Sequence, residues 1–285
     1  MSYWQVLPLN AVFSDPSPYF SISSTANNLF LISLEELVNE KLLDEDQLLK
    51  IKDSDTKIDY EKVLPYKKSL LFKAFRRFQK TTQTNLYKEF LNYCFDYEES
   101  LDDFAMFSAL KEYYIYIRAN EKRHKNFDKY NDFKEKYKNI FSEDKLSQYY
   151  YGGSFFSWEK DLKYRNPETL KKYHLLLKER IDFYKFTQFI FWIQWKKIKE
   201  YASKNKIKII GDVPFFVNHD SVDVWVNPSL FFLDENLVPT KVAGVPPDYF
   251  SRTGQLWGNP LYNWEEHKKQ NYRWWKNRFS ELYKL

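Results

Sequence analysis

Between about Asp59 and Lys204 the sequence reads almost wholly as helix, and this restricts the possible folds more than any other feature. Leu70, Leu71, Ala74, Phe75 and Phe78 recur at helical spacing, as do Phe104, Phe107, Leu110 and Tyr114, so each set predicts one apolar helix face. Asn166-Pro167-Glu168 predicts a helix start, with a cap residue followed by proline at the first helical position. That helix is expected to run to about Ser203, with Phe186, Phe189, Ile190, Ile193 and Ile198 toward the core. Only two short runs read as buried strands, Tyr3 to Leu9 and Ile207 to Ile210. Ser33 with Glu36, and Asp44 with Gln47, have the spacing of capping boxes. The class is α/β and rich in helix.

Three stretches follow. Residues 1–58 carry the first strand, a loop rich in Ser, Pro and Asn, and short helices. Residues 59–204 form a mostly helical subdomain, in which 118–147 shifts to Lys, Asn, Asp and Tyr and reads as a solvated helix or loose excursion. Residues 205–285 hold the second strand and a segment, Val213 to Trp264, with many prolines and glycines and little periodicity. Long irregular segments of that kind are usually functional loops. Asn263 is expected to cap a last amphipathic helix running to Leu285.

Composition narrows the function. Aromatic residues make up 20% of the 285, which suits stacking on sugar rings, although a nucleotide bias toward Phe, Tyr, Asn, Lys and Ile explains it equally well. The net charge of +5 comes from 44 basic and 39 acidic residues that are well mixed, so no nucleic-acid footprint is drawn. Cys94 stands alone, which excludes a disulfide framework and suits a reducing compartment. His124, His174, His219 and His267 are too scattered to suggest a metal site. No signal peptide or membrane-length apolar run is read, and a cytoplasmic location with no cofactor is the simplest expectation.

Three motifs in the last third bear on chemistry, each with a plainer structural reading beside it. Asp212 follows the strand Ile207 to Ile210, where a barrel enzyme would aim a carboxylate at its ligand; local sequence alone favours the plainer reading, a turn or capping aspartate. Pro246-Pro247-Asp248-Tyr249-Phe250-Ser251 offers two rings on a stiffened loop, with Asp248 as a hydroxyl acceptor, or else a loop packed onto the core. Gly254 to Tyr262 sets Gln255, Trp257 and Asn259 among glycines, giving amides for sugar hydroxyls or a compact turn with a core tryptophan.

Taken in order, these motifs carry a resemblance. Gly211-Asp212-Val213-Pro214, His219-Asp220-Ser221-Val222-Asp223-Val224-Trp225, Val242 to Ser251 and Gly254 to Tyr262 resemble the amylomaltases of glycoside hydrolase family 77. Tyr3 to Leu9 resembles that family's second barrel strand, and Ser17-Pro18-Tyr19, Ser21, Ser23, Ala26 and Asn28 match its following loop. Phe183 to Tyr201 and Asp103 to Glu112 also resemble family segments, whereas roughly Arg118 to Ser147 reads as an insertion. The resemblance implies a (β/α)₈ barrel with helical insertions. It also implies transfer of α-1,4-glucan segments between maltooligosaccharides by a retaining two-carboxylate scheme. Tyr19, Asp212, Asp248, Tyr249, Phe250, Ser251, Gln255, Trp257 and Asn259 are the implied glucan-binding residues.

The family's catalytic groups lie in an Arg-Ile-Asp-His strand end, an Ala-Glu-Asp-Leu-Gly motif and a His-Asp-Asn motif, and none is present. Arg180-Ile181-Asp182-Phe183 is similar to the first but falls inside a long helix. The expectation is therefore a partial barrel of about two strands, which cannot close on itself, in a chain that binds glucan but lacks the catalytic carboxylates. The alternative is a non-catalytic glucan-binding or scaffolding remnant. Ser14, Pro16 and Phe20 depart from the Tyr, Asp and Gln usual in the first loop, which weakens that loop's expected contacts.

Overall fold

The computed structural model describes residues 2–13, 17–48 and 58–284, so Ser14 and Pro16 lie outside the described residues. Its first strand, β1 (Tyr3–Gln5), pairs in parallel with β2 (Lys208–Ile210), in the register Tyr3↔Lys208, Trp4↔Ile209 and Gln5↔Ile210. Both strands are shorter than predicted and are not buried. Tyr3 is 57% exposed and Ile210 45%. Parallel strands are ordinarily covered on both faces by further strands and helices. Among the described residues, each of these two has only the other as a strand neighbour. Val6 adds one more bond, N–H to the Ile210 carbonyl at 2.9 Å. Pro8, which has no N–H, follows soon after. No closed barrel is formed by the described residues.

After α1 (Leu34–Asn39), the middle of the chain is helical as expected, through α2 (Tyr60–Phe78), α3 (Asn85–Asp96), α4 (Glu98–Arg123), α5 (Asp128–Tyr137), α6 (Glu143–Tyr151), α7 (Lys160–Lys163), α8 (Pro167–Leu176) and α9 (Lys178–Lys204). The predicted faces on α2 and α4 are buried. Asn166 caps α8 through its side chain, with Pro167 in the first turn. The single helix expected from Asn166 to Ser203 is instead two, because Leu177 leaves the helical conformation and turns inward. Ile198 is exposed, contrary to expectation, while Phe183, Phe186, Phe189 and Ile190 are buried.

Rings from α2 and α9 interlock. Phe186 lies 5.6 Å from Phe75 and 5.0 Å from Phe78, and Phe183 meets Phe75 edge-on at 5.9 Å. One contiguous core draws on Ala11 and Ile32, on Phe75, Phe107 and Phe186, and on Trp225 and Tyr262. The 118–147 excursion folds into the end of α4, all of α5 and the start of α6, with its own small core of Tyr137, Leu146, Tyr149 and Phe156 against Val238. Arg118 does not belong to a solvated face. It is buried, donating to the Tyr150 and Ser157 carbonyls.

The capping boxes differ from each other. At Ser33 the hydroxyl accepts from Glu36 N–H, but the Ser33 N–H goes to the Gln194 side chain, so only half the box forms. At Asp44 both halves form, around a 3-10 turn at Glu45–Gln47 rather than an α-helix.

After α10 (Val222–Val226), the stretch predicted as irregular contains an antiparallel hairpin, β3 (Val242–Val245) with β4 (Gln255–Pro260). Period-2 alternation was hidden there because both faces of the hairpin are largely solvated. Gly244 is needed where it pairs opposite Leu256, since a Cβ would meet the Gln255 carbonyl oxygen at 2.6 Å. The expected last helix is split into α11 (Trp264–Lys269) and α12 (Arg273–Lys284), with Asn271 and Tyr272 at φ of 52° and 54° between them. Asn263 precedes α11 without a side-chain cap bond.

Candidate functional site

Because β1 and β2 are parallel, the loops that leave their C-terminal ends emerge on the same side. The first loop carries Tyr19 and the second Asp212, and the Tyr19 hydroxyl donates to Asp212 Oδ2 at 2.5 Å across 193 residues of sequence. That bond raises the Tyr19 phenol above its ordinary pKa, since ionisation would set two negative oxygens against each other. A turn presents the tyrosine: Pro18 and Tyr19 are its central residues, closed by Phe20 N–H to the Ser17 carbonyl at 3.0 Å.

The rest of that loop is fixed by side chains from far along the chain. Gln188 on α9 grips Asn27 from both ends, accepting its N–H at 2.7 Å and donating to its carbonyl at 2.8 Å. Asp223 on α10 accepts from both the backbone and the hydroxyl of Ser24, at 2.8 and 2.5 Å. Burial pushes the Asp223 carboxyl above the usual carboxylate range, with the Ser24 bonds acting the other way. Ser23 turns the chain locally, its hydroxyl accepting from the N–H groups of Thr25 and Ala26.

The run His219 to Trp225 is thus a structural joint. His219 is buried between the Tyr149 hydroxyl, 2.9 Å from Nδ1, and the Leu237 carbonyl, 2.8 Å from Nε2. The carbonyl can only accept, so Nε2 carries the proton and Nδ1 accepts from Tyr149. Burial drives the His219 pKa down to about 4. Asp220 pairs with the buried Lys111 and accepts from Phe155 N–H at 3.2 Å. Ser221 caps α10.

A cleft of about 460 Å³ opens beside Asp212, with walls from Val6, Leu7, Trp195, Ile209 and Phe279 and with Asn10 and Asn27 as further polar groups. No three or more His, Cys, Asp or Glu side chains among the described residues are placed to hold a metal ion. No helix among the described residues is long and apolar enough to cross a membrane.

The remaining candidates lie on the hairpin. Asp248 Oδ1 accepts from Phe250 and Ser251 N–H at 2.9 and 2.8 Å, and the Ser251 hydroxyl donates to the Gly254 carbonyl at 2.7 Å. These bonds shape a tight tip, closed by Gly254 at φ 73°, that holds Tyr249 and Phe250 out into solvent, 97% and 89% exposed. Gln255 and Trp257 bond to each other, indole N–H to Oε1 at 3.1 Å, and both remain exposed. Asn259 uses its amide internally, Nδ2 donating to the Val217 carbonyl at 2.8 Å. The structure therefore joins Tyr19 to Asp212 directly, while the hairpin meets the segment after Asp212 at its base. Gln188, Ser24 and Asp223 were missed as residues that place the site. Their partners lie more than 160 residues away, and no local pattern reports such a contact.

Comparison with known proteins identifies the family of the chain. The family model for glycoside hydrolase family 77, described as 4-alpha-glucanotransferase, matches residues 1–285. This chain belongs to the 4-alpha-glucanotransferase family. It is 40% identical over its whole length to the 4-alpha-glucanotransferase of Aquifex aeolicus, spanning 50% of that protein. It is 38% identical over 99% of its length to that of Clostridium butyricum, again spanning 50%. The amylomaltase from Streptococcus agalactiae, solved in complex with acarbose, superposes with a TM-score of 0.78 at 33% identity, over 97% of this chain and 49% of that one. The chain thus spans about half the length of the 4-alpha-glucanotransferases it matches.

Proposed function

We propose that these 285 residues form part of the glucan-binding surface of a 4-α-glucanotransferase, an enzyme that moves α-1,4-glucan segments between maltooligosaccharides. In this reading β1 and β2 are neighbouring strands of a barrel, residues 59–204 are its helical insertion, and residues 205–285 bring the substrate loops. The observation that carries the reading is the Tyr19–Asp212 contact, which sets a phenol and a carboxylate at the common exit of two parallel strands. With the Tyr19 proton committed to Asp212, the pair offers acceptor oxygens to sugar hydroxyls, and Tyr249 and Phe250 offer flat apolar faces for stacking. The reaction's nucleophile and acid/base motifs do not occur in the sequence, so these residues by themselves bind glucan and do not transfer it.

Two measurements test this. Tryptophan fluorescence titrated with maltoheptaose is expected to change saturably, and Asp212→Asn is expected to weaken that binding. Incubation with maltotriose is expected to release no glucose. A flat titration would remove the binding role, and formation of glucose with longer oligosaccharides would show that the carboxylates needed for transfer are present after all.

A further inference from the structure

Residues 212–217, which follow β2 and begin with Asp212, belong to no strand or helix. Among the described residues none of the six makes a backbone-to-backbone hydrogen bond. Peptide carbonyls left in this way need other partners, and three of them are met by side chains. Arg278 of α12 donates to the Pro214 carbonyl, the Tyr262 hydroxyl to that of Phe215 at 2.8 Å, and Asn259 Nδ2 to that of Val217 at 2.8 Å. The Phe216 ring is held with them. It lies parallel to Tyr262 at 6.3 Å, 10° between planes, and meets Trp257 edge-on at 6.1 Å. Arg278 and Tyr262 are both buried, so this clasp is set into the protein rather than laid over it.

We infer that Asn259, Tyr262 and Arg278 are positioning residues that hold the segment carrying Asp212 in fixed register with the base of the β3–β4 hairpin. Asn259 sits on β4 and Tyr262 two residues past its end, so the strand that supports the ring-bearing tip also holds the carboxylate loop. Asp212 is then fixed from two sides, by Tyr19 at its carboxylate and by the clasp on the backbone two to five residues further along. Asn259 thereby acts through Asp212, with its amide nitrogen committed to Val217. The consequence for glucan affinity rests on the function proposed above, whereas the clasp itself does not.

Tyr262→Phe keeps the ring and removes only the donor, and Asn259→Ala is a second, half-buried site if the first variant folds poorly. Limited chymotrypsin digestion of the whole chain, read by mass spectrometry, compares cleavage at Phe215 and Phe216 with cleavage at the exposed Tyr249–Phe250 tip. Loss of one such bond is expected to raise the first relative to the second about tenfold. An unchanged ratio would show that the bond does not hold the segment, an equal rise at sites along α9 would mean global loosening, and either would overturn the inference. The second arm measures maltoheptaose affinity for Asp212→Asn in the unaltered and Tyr262→Phe chains. The combined loss is expected to fall short of the product of the single losses, and a full product would overturn transmission through Asp212. If the unaltered chain binds no maltoheptaose, the proposed function fails and the cleavage ratio still decides the clasp.

Discussion

Phe186 and Phe215 are the same residue type in two unlike regions. Phe186 on α9 is fully enclosed, with the rings of Phe75 and Phe78 against it. Phe215, three residues after Asp212, is 61% exposed and is held through its backbone carbonyl by the Tyr262 hydroxyl. The contrast extends to their surroundings. The helical body takes its order from apolar burial, which is non-directional and tolerates exchange among similar side chains. The strand-exit region takes its order from polar ties such as Gln188–Asn27, Asp223–Ser24 and the clasp on residues 214–217. Directional bonds of this kind place individual atoms, as the proposed recognition of sugar hydroxyls requires. The many rings of the sequence divide in the same way, with some filling the core and others, Tyr249 and Phe250 above all, left in water.

The comparison can be broken most severely in the helical body. Phe186→Ala should cost about 3–5 kcal/mol, read from urea unfolding, because it removes a whole ring and leaves a cavity. A loss under about 1 kcal/mol would mean that the aromatic layer is not what holds the body together.

Next is the joint between the regions. His219 has its pKa lowered to about 4 from an ordinary 6.5, so the unfolded chain takes up its proton first as pH falls. Its contribution is complete above about pH 6.5 and is lost on descent toward pH 4, by at most about 3 kcal/mol. Asp220 favours the charged ring, while Lys145 and Lys163 oppose it. Unfolding midpoints measured across that window should fall for the unaltered chain and fall less for His219→Gln.

Gln188→Ala should cost about 2 kcal/mol, since it strands both polar groups of Asn27 in a buried place. Maltoheptaose affinity should fall with it if the Tyr19 loop shifts, and unchanged affinity would show that the loop holds its shape without α9. Replacing Tyr249 and Phe250 together by alanine is expected to leave the melting temperature unmoved, because neither ring is packed. The same change should weaken maltoheptaose binding about tenfold. A drop in melting temperature would place the tip among the structural contacts instead.

Legibility in the sequence followed the same division. The apolar faces of α2 and α4 and the start of α8 were readable, because each is encoded within a few residues of itself. The break at Leu177 was not, since no glycine or proline marks it and burial of the leucine is a tertiary event. The hairpin was concealed for the opposite reason, that neither of its faces is buried enough to impose alternation. Motif order identified the family, and it picked out Tyr19 and Asp212 separately without indicating that they touch.

The sequence alone determined that the middle of the chain is helical, which faces α2 and α4 bury and to which family the chain belongs, because these depend on residue type and order along the chain. Only the tertiary structure decided that Asp212 meets Tyr19, that Asn259 and Tyr262 serve the backbone beside Asp212, and that the motif from His219 to Asp223 is a joint rather than a reactive group. A hydrogen bond is made in space, and a partner as much as 199 residues away leaves no local trace in the order of the amino acids.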